Sequence, residues 1–139
     1  MRWLYTLALA LLTPGFALHL TWRGLRNRAY WRRWGERWGR LPASVRGPYA
    51  LWVHAVSVGE VQAAAPLVRR LRELAPEAPI LVTTTTPTGS DRVRTALAGQ
   101  VDHCYLPYDL PPLVAAFLAR VRPAGALFVE TELWPNYLA

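Results

Sequence analysis

The fold is decided by residues 49–74, which read YALWVHAVSVGEVQAAAPLVRRLREL. Residues 49–55 form an apolar run containing aromatic and β-branched side chains, which favours a buried strand. A polar turn with Gly59 follows, and from Glu60 onward the sequence has the apolar spacing of an amphipathic helix. A strand, a glycine-containing turn and a helix in this order predict the first half of a βαβ unit.

The same alternation continues toward the C-terminus. Strand-like runs and helical patterns follow one another at residues 80–86 (strand), 90–97 (helix), 103–106 (strand), 112–121 (helix) and 126–131 (strand). Such alternation is typical of a parallel sheet with helices on both faces. We therefore predict an α/β fold with a Rossmann-like parallel sheet, in a domain that covers residues 47–139.

The N-terminal segment has a different character. Residues 3–22 carry no charged side chain, and twenty residues of helix span about 30 Å, the thickness of the bilayer hydrocarbon. We predict a membrane-anchor helix at residues 1–22. Pro14 and Gly15 leave a kinked span, a re-entrant helix or an interfacial helix open, and a signal peptide or a buried core helix are the alternatives. Eight of the nearby arginines follow the span, which puts the globular part in the cytoplasm.

The charge is distributed unevenly. All 16 basic residues are arginine, and the chain has 9 acidic residues and a net charge of +7. Nine arginines and one acidic residue lie in residues 1–46, so the basic character belongs to the N-terminal third, which favours a membrane surface over nucleic acid as partner. Cys104 is the only cysteine, so an internal disulfide is excluded. No second His/Cys pair accompanies His103 and Cys104, so we expect no metal site and no cofactor.

Residues 23–46 form a Trp/Arg-rich segment that includes YWRRWGERWGR at residues 30–40. On a helix, three tryptophans would share one face and three arginines a neighbouring face: Trp31, Trp34 and Trp38, and Arg33, Arg37 and Arg40. One interpretation is an interfacial helix that docks on the membrane, with Arg33 and Arg37 binding an anionic lipid. The other is a tryptophan stripe that packs on the domain core.

Functional residues of such sheets lie in the loops after the carboxyl ends of the strands. The candidates for substrate binding are Ser57, Gly59, Thr86, Thr88 and Gly89. Glu60 stands where a helix begins, so its carboxylate should be ionised and able to accept a proton from a substrate hydroxyl. The alternative for Glu60 is an ordinary first-turn residue, favoured by the helix dipole.

The neighbouring loops offer further candidates. Thr88, Gly89 and Ser90 could form an anion site, or Ser90 could be an ordinary N-cap. Glu130 and Glu132 leave the fourth strand on the same face and should reach the edge near Glu60, where paired carboxylates can have their pKa values pushed apart. A structural ion pair is the alternative for Glu130. Asp109 is better explained as a turn or cap residue than as a catalyst.

Five segments carry a resemblance to a known family. They are RWGERWG, HAVSVGEV, TTTTPTGSDRV, YLPYDLP and ETELWPN, at residues 33–39, 54–61, 83–93, 105–111 and 130–136. In this order and spacing the chain resembles the N-terminal domain of the 3-deoxy-D-manno-octulosonic acid (Kdo) transferases of lipopolysaccharide assembly. The resemblance covers most of residues 28–139, and the apolar start is similar to the membrane anchor of the family.

The resemblance implies a metal-independent, inverting glycosyltransferase of GT-B architecture at the cytoplasmic face of the bacterial inner membrane. The N-terminal domain would bind the acceptor, a lipid A precursor (lipid IVA), and a C-terminal domain would bind the donor, CMP-Kdo. It implies Glu60 as the general base and a second essential glutamate at Glu132, or else at Glu130. The donor-binding domain is absent from the chain, so we expect residues 1–139 alone to be inactive. A membrane-docked module that binds an anionic lipid or a nucleotide without catalysis is the alternative.

Overall fold

The computed structural model describes residues 2–26, 28–129 and 134–138. Its elements are α1 (Arg2–Arg26), a 3-10 turn (Arg28–Tyr30), α2 (Trp34–Arg37), β1 (Leu51–His54), α3 (Val58–Leu74), β2 (Ile80–Thr84), α4 (Pro87–Ala96), β3 (Asp102–Tyr105), α5 (Pro111–Val121) and β4 (Ala126–Phe128). The predicted alternation of strands and helices is confirmed.

The four strands form one parallel sheet in the order β3-β2-β1-β4. Val53 in β1 pairs with Val82 in β2 on one side and with Leu127 in β4 on the other. The chain therefore builds outward from β1 to β3 and then crosses back to place β4 beside β1. The carboxyl end of β1 lies at this reversal, which is where α/β sheets bind their ligands.

Side chains that alternate along β1 enter two separate cores. Trp52 is 2% exposed and makes ring contacts with Phe117, Phe128 and Tyr137 on one face of the sheet. Val53 is fully buried on the other face, in a cluster that includes residues of α3 and α4. Both faces of the sheet are therefore covered, as the apolar strand sequences require.

The predicted helix at residues 30–40 is wrong. Only Trp34–Arg37 is helical, and Arg33 before it has a φ of 59°, in the left-handed region that interrupts a right-handed helix. Trp31, Trp34 and Trp38 therefore do not form one stripe: Trp31 packs edge-on against Trp34, whereas Trp38 packs against Tyr108 of the domain. Contacts with the domain determine this segment, because they outweigh a helical tendency that two glycines already weaken.

Two side chains of this segment cover the outer edge of β3. The Glu36 carboxylate accepts the backbone N–H of Tyr105 at 2.8 Å, and the Arg33 guanidinium donates to the backbone carbonyl of His103 at 3.1 Å. Arg33 and Glu36 also form an ion pair with each other. The segment thus supplies the hydrogen bonds that a further strand would otherwise make to β3.

Helix α1 is apolar, and several of its large side chains are exposed: Leu4, Leu7, Leu11, Leu12, Leu18, Trp22 and Leu25. Leu4–Arg26 has the length and composition of a membrane-spanning helix, although a signal sequence would meet the same criteria. Its first turn contacts the domain, where the Tyr5 hydroxyl donates to Asp109 at 3.0 Å and the Thr6 hydroxyl to Asn136 at 3.3 Å. The assignment of residues 1–22 as an anchor remains a prediction.

Candidate functional site

The turn between β1 and α3 is organised by Glu60. Ser57 is the N-cap residue of α3, and Glu60 is the third residue of the helix. One carboxylate oxygen of Glu60 accepts the backbone N–H of Val56 at 2.7 Å, and the other accepts the Ser57 hydroxyl at 2.8 Å. This arrangement is a variant of the capping box, and it leaves Glu60 only 9% exposed.

The geometry leaves Glu60 capable of further hydrogen bonding. An ionised carboxylate has about four acceptor positions, and these two bonds occupy one on each oxygen. Both oxygens lie in the first turn of α3, where the helix dipole has its positive end. A substrate hydroxyl that reached a remaining position could transfer its proton there. The observed bonds are also those of a first-turn capping residue, so the role of Glu60 as a base remains a prediction.

The turn between β2 and α4 lies directly against the Glu60 turn. Thr86 is the N-cap residue of α4; its hydroxyl accepts the backbone N–H of Gly89 at 3.1 Å and donates to the carbonyl of Val56 at 3.0 Å. Gly89 is buried, and Thr88 is exposed on the first turn. The structure therefore brings Ser57, Gly59 and Glu60 together with Thr86 and Gly89.

The predicted start of α4 needs a correction. The helix begins at Pro87, so Ser90 lies inside it and is not the N-cap. Proline suits the first helical position because its φ is already fixed and its missing N–H is not needed there. Thr86 then provides the cap, and the Ser90 hydroxyl instead accepts a hydrogen bond from Arg33 at 3.1 Å. Thr88 and Gly89 consequently occupy the first turn of α4 instead of a loop before it.

Gly89 should tolerate no side chain, whereas Gly59 should. A Cβ atom at Gly89 would lie 2.9 Å from the Thr86 hydroxyl and 3.0 Å from the carbonyl of Val56, but a Cβ atom at Gly59 would meet only the Ser57 hydroxyl, at 4.0 Å. We expect Gly89→Ala to lower the free energy of unfolding by about 1–3 kcal/mol and Gly59→Ala to leave it unchanged or to raise it slightly. Urea unfolding of the two variants measures the difference, and equal stabilities would contradict this close packing.

Arg33 and Arg37 direct their charges into the domain. Besides its bonds to Glu36 and His103, Arg33 bonds Ser90. Arg37 is 5% exposed, donates to the carbonyl of Thr85 at 2.6 Å and lies over the Tyr105 ring. Burial lowers the pKa of Arg37. Their predicted role in substrate binding remains untested, but in this structure both guanidinium groups are engaged by the protein.

His54 at the end of β1 is a buried polar residue that the sequence reasoning overlooked. Its Nδ1 lies 2.9 Å from the Thr83 hydroxyl, which also accepts the indole N–H of Trp52 at 2.8 Å. The imidazole makes edge contacts with the rings of Phe128 and Trp134, and its Nε2 has no hydrogen-bond partner among the residues that the structure describes. Burial lowers the pKa of His54 to about 4, although the negative charge of Glu60 acts in the opposite direction.

The lowered pKa of His54 predicts a loss of stability in mild acid. The folded pKa of about 4 lies below the ordinary value of 6.5. Between these values the unfolded chain binds a proton that the folded chain does not, so stability falls as the pH is lowered through 6.5 and toward 4. At about pH 5 we expect His54 to cost on the order of 2 kcal/mol relative to pH 7. His103, whose pKa burial lowers to about 3, adds to the loss. Urea unfolding from pH 7 to 5 measures the effect, and a constant stability would contradict it.

Asp109 connects three parts of the chain. It is completely buried, and one carboxylate oxygen accepts both the Tyr5 hydroxyl and the backbone N–H of Asn136. The Asn136 side chain donates to the backbone carbonyl of Asp109. Burial raises the pKa of Asp109, and its hydrogen bonds with Asn136 and Tyr5 partly oppose this rise. Asp109 therefore does more than the predicted turn or cap residue: it joins α1 and residues 134–138 to the loop after β3.

The remaining predictions at this edge concern glutamates and metals. Glu130 and Glu132 lie outside the described residues. Within residues 2–26, 28–129 and 134–138, no group of three or more His, Cys, Asp or Glu side chains is arranged to hold a metal ion. Cys104 is buried, and burial raises the pKa of its thiol, so the thiol is protonated at neutral pH.

Comparison with known proteins shows the family of the chain. The sequence model of the family described as 3-deoxy-D-manno-octulosonic-acid transferase (kdotransferase) matches residues 32–139. The chain is 41% identical over 138 residues to a 3-deoxy-D-manno-octulosonic acid transferase of Haemophilus influenzae and 42% identical over 148 residues to one of Bordetella pertussis, covering 99% of this chain each time. It is 39% identical over 127 residues, 91% of the chain, to a probable mitochondrial 3-deoxy-D-manno-octulosonic acid transferase of Arabidopsis thaliana.

The similarity covers only part of those relatives. The chain spans 32%, 34% and 28% of the lengths of the Haemophilus, Bordetella and Arabidopsis proteins. The family model nevertheless covers both turns of the candidate site, from the end of β1 to the start of α4. On this evidence the chain belongs to the Kdo transferase family.

Proposed function

We propose that the chain is the acceptor-binding part of a glycosyltransferase that moves Kdo from CMP-Kdo to a lipid A precursor, lipid IVA, in lipopolysaccharide biosynthesis. The transfer inverts the anomeric centre. Glu60 is the general base that takes the proton from the attacking hydroxyl, with Glu132, or otherwise Glu130, as the second carboxylate. The reaction takes place at the cytoplasmic face of the bacterial inner membrane, and residues 1–22 form the membrane anchor.

The observation that carries this proposal is the position of Glu60 in a chain of this family. Glu60 follows strand β1, at the reversal of strand order, and an acceptor bound there would meet a carboxylate at a helix N-terminus. The relatives named as Kdo transferases are about three times as long as this chain. We propose that a donor-binding domain completes the active enzyme and that residues 1–139 alone do not turn over CMP-Kdo.

The proposal is tested by comparing two proteins. One consists of residues 1–139, and the other is the product of the complete coding region that contains them. Each is given CMP-Kdo and lipid IVA in detergent, and the lipid products are followed by mass spectrometry. We expect a mass increase of one or more Kdo units only with the complete protein. No transfer by the complete protein would refute the function, and transfer by residues 1–139 would refute the need for a second domain.

One observation favours a module that binds an anionic lipid or a nucleotide without chemistry. Both oxygens of Glu60 already accept hydrogen bonds from its own turn, which suits a purely structural carboxylate. Such a module would bind lipid IVA or CMP-Kdo with no product from either protein. Equilibrium binding measured beside the transfer assay distinguishes the two functions.

A further inference from the structure

An apolar slot lies between α1 and the carboxyl edge of the sheet. It is a cavity of about 110 Å³, lined by Leu9, Thr13, Tyr108, Asp109 and Trp134. The exposed lining is almost wholly apolar, and the Thr13 hydroxyl is already bonded to the carbonyl of Leu9. Trp134 also contacts the imidazole of His54, at the end of the strand that leads to Glu60.

Two polar atoms of the lining, the Tyr108 hydroxyl and Asp109 Oδ1, have no hydrogen-bond partner among the residues that the structure describes. Asp109 is completely buried, and its Oδ2 accepts the Tyr5 hydroxyl and the Asn136 N–H, but its Oδ1 has no hydrogen-bond partner among the residues that the structure describes. A buried carboxylate oxygen without a donor costs free energy comparable to a lost hydrogen bond or more. A ligand in the slot that offered a hydroxyl would satisfy this oxygen.

The size and chemistry of the slot restrict its ligand. Its volume is similar to that of an apolar cavity of roughly 150 Å³ that holds benzene, so it accepts a short stretch of hydrocarbon but not a sugar or a nucleotide. A fatty chain without a substituent would leave Asp109 Oδ1 unpaired. A hydroxyl can donate to the carboxylate, and it can also accept from the protonated acid, so it fits either state of Asp109.

We propose that this slot binds an aliphatic chain that bears a hydroxyl group, as a subsite for one acyl chain of the lipid acceptor. The inference rests on the proposed function for the identity of the lipid but not for the chemistry of the slot. Leu9 and Thr13 provide the wall on the side of α1, Tyr108 and Trp134 pack against the methylene groups, and Asp109 Oδ1 bonds the hydroxyl. The slot would select hydroxylated acyl chains over plain chains of the same length.

The test uses residues 1–139 in maltoside micelles with a diazirine-bearing tetradecanoic acid as photoreactive probe. We expect crosslinks at peptides that contain Tyr108 or Trp134. Competitors are tetradecanoic acid and hydroxytetradecanoic acids with the hydroxyl near the carboxyl end, at mid-chain or near the methyl end. At least one hydroxylated competitor should displace the probe at about a tenfold lower concentration than the plain acid, because it gains a charge-assisted hydrogen bond.

Variants separate the slot from general detergent-like binding. Leu9→Trp should fill the slot and abolish crosslinking there, whereas Leu11→Trp, at a position that is 72% exposed, should not. Asp109→Asn keeps the shape and removes the charge, so the preference for the hydroxylated acid should fall to about threefold or less. Circular dichroism verifies that each variant is folded.

The inference is overturned if crosslinks at the slot are absent in the wild-type chain, or if no hydroxylated acid outcompetes the plain acid. Neither result depends on a variant that could misfold. If the complete enzyme transfers Kdo but the slot does not bind selectively, this inference is refuted and the proposed function is not. If the slot binds selectively but the complete enzyme is inactive, the proposed function is refuted and the ligand assigned to the slot is not.

Discussion

Replacing Glu60 with glutamine in the complete enzyme should lower the rate of Kdo transfer by roughly a hundredfold to ten-thousandfold, the usual contribution of a general base. The side chain keeps its size and its place in the turn. Its amide oxygen can still accept the N–H of Val56, and its amide nitrogen can donate to the Ser57 hydroxyl. What is lost is the ability to take a proton, so kcat should fall while acceptor binding stays nearly the same. Steady-state transfer kinetics with lipid IVA measure both quantities.

The matched control for this experiment is Glu73→Gln. Glu73 lies on the same helix, is exposed and pairs with Arg70, so the identical chemical change occurs away from the site. We expect Glu73→Gln to transfer at the wild-type rate and both variants to unfold at nearly the wild-type urea concentration. A Glu60→Gln enzyme with wild-type kcat would eliminate Glu60 as the base and leave it a capping residue.

Trp52→Ala should lower the free energy of unfolding by about 3–5 kcal/mol, the cost expected for deleting a buried aromatic side chain. Trp52 contacts the rings of Phe117, Phe128 and Tyr137, and its indole N–H bonds the Thr83 hydroxyl. Removing the indole opens a cavity in the core. A loss of this size is a large part of the 5–15 kcal/mol by which domains are stable, so the variant should be partly unfolded at 37 °C.

Trp22→Ala makes the same chemical change on the surface. Trp22 is 52% exposed, and its ring contacts belong to its own helix, with His19 and Arg26. We expect its effect on the stability of the domain to stay within about 0.5 kcal/mol. Thermal unfolding of the two variants, followed by circular dichroism at the same detergent concentration, gives the comparison. Equal losses would show that Trp52 is not the centre of the core.

The elements of the sheet could be predicted because each is a local pattern. Residues 49–55 and 80–86 are short apolar or β-branched runs, and the helices that follow them have their own apolar spacing. The order of the strands could not be predicted in the same way, because β1 pairs with β4 across more than seventy residues of chain. The start of α4 differs from the predicted start by a few residues, because two residues could each cap this helix. Thr86 and Ser90 are both good N-caps, and Pro87 decides between them.

The site was harder to predict because its polar groups are satisfied by distant partners. His54 looks like one more residue of an apolar strand until Thr83 of β2 is placed beside it. Arg37 looks like a solvated charge, but its guanidinium bonds the carbonyl of Thr85, 48 residues away. Neither the strand pattern around His54 nor the helical spacing assumed for Arg37 indicates these contacts. Glu60, in contrast, could be placed in the first turn of α3 from the local pattern of turn and helix, although the helix begins at Val58 and not at Glu60 as predicted.

The two edge strands of the sheet, β3 and β4, are not covered equally, and this affects how the protein behaves in solution. Arg33 and Glu36 occupy backbone groups along β3, but no described strand or side chain does the same on the outer side of β4, where Ala126 and Leu127 are exposed. An open border of this kind is a template for pairing with another molecule. At high concentration, molecules of residues 1–139 should therefore associate with one another through β4 and not through β3. A lysine in place of Leu127 is the simplest change for keeping the polypeptide soluble at the concentrations that crystallisation and NMR require.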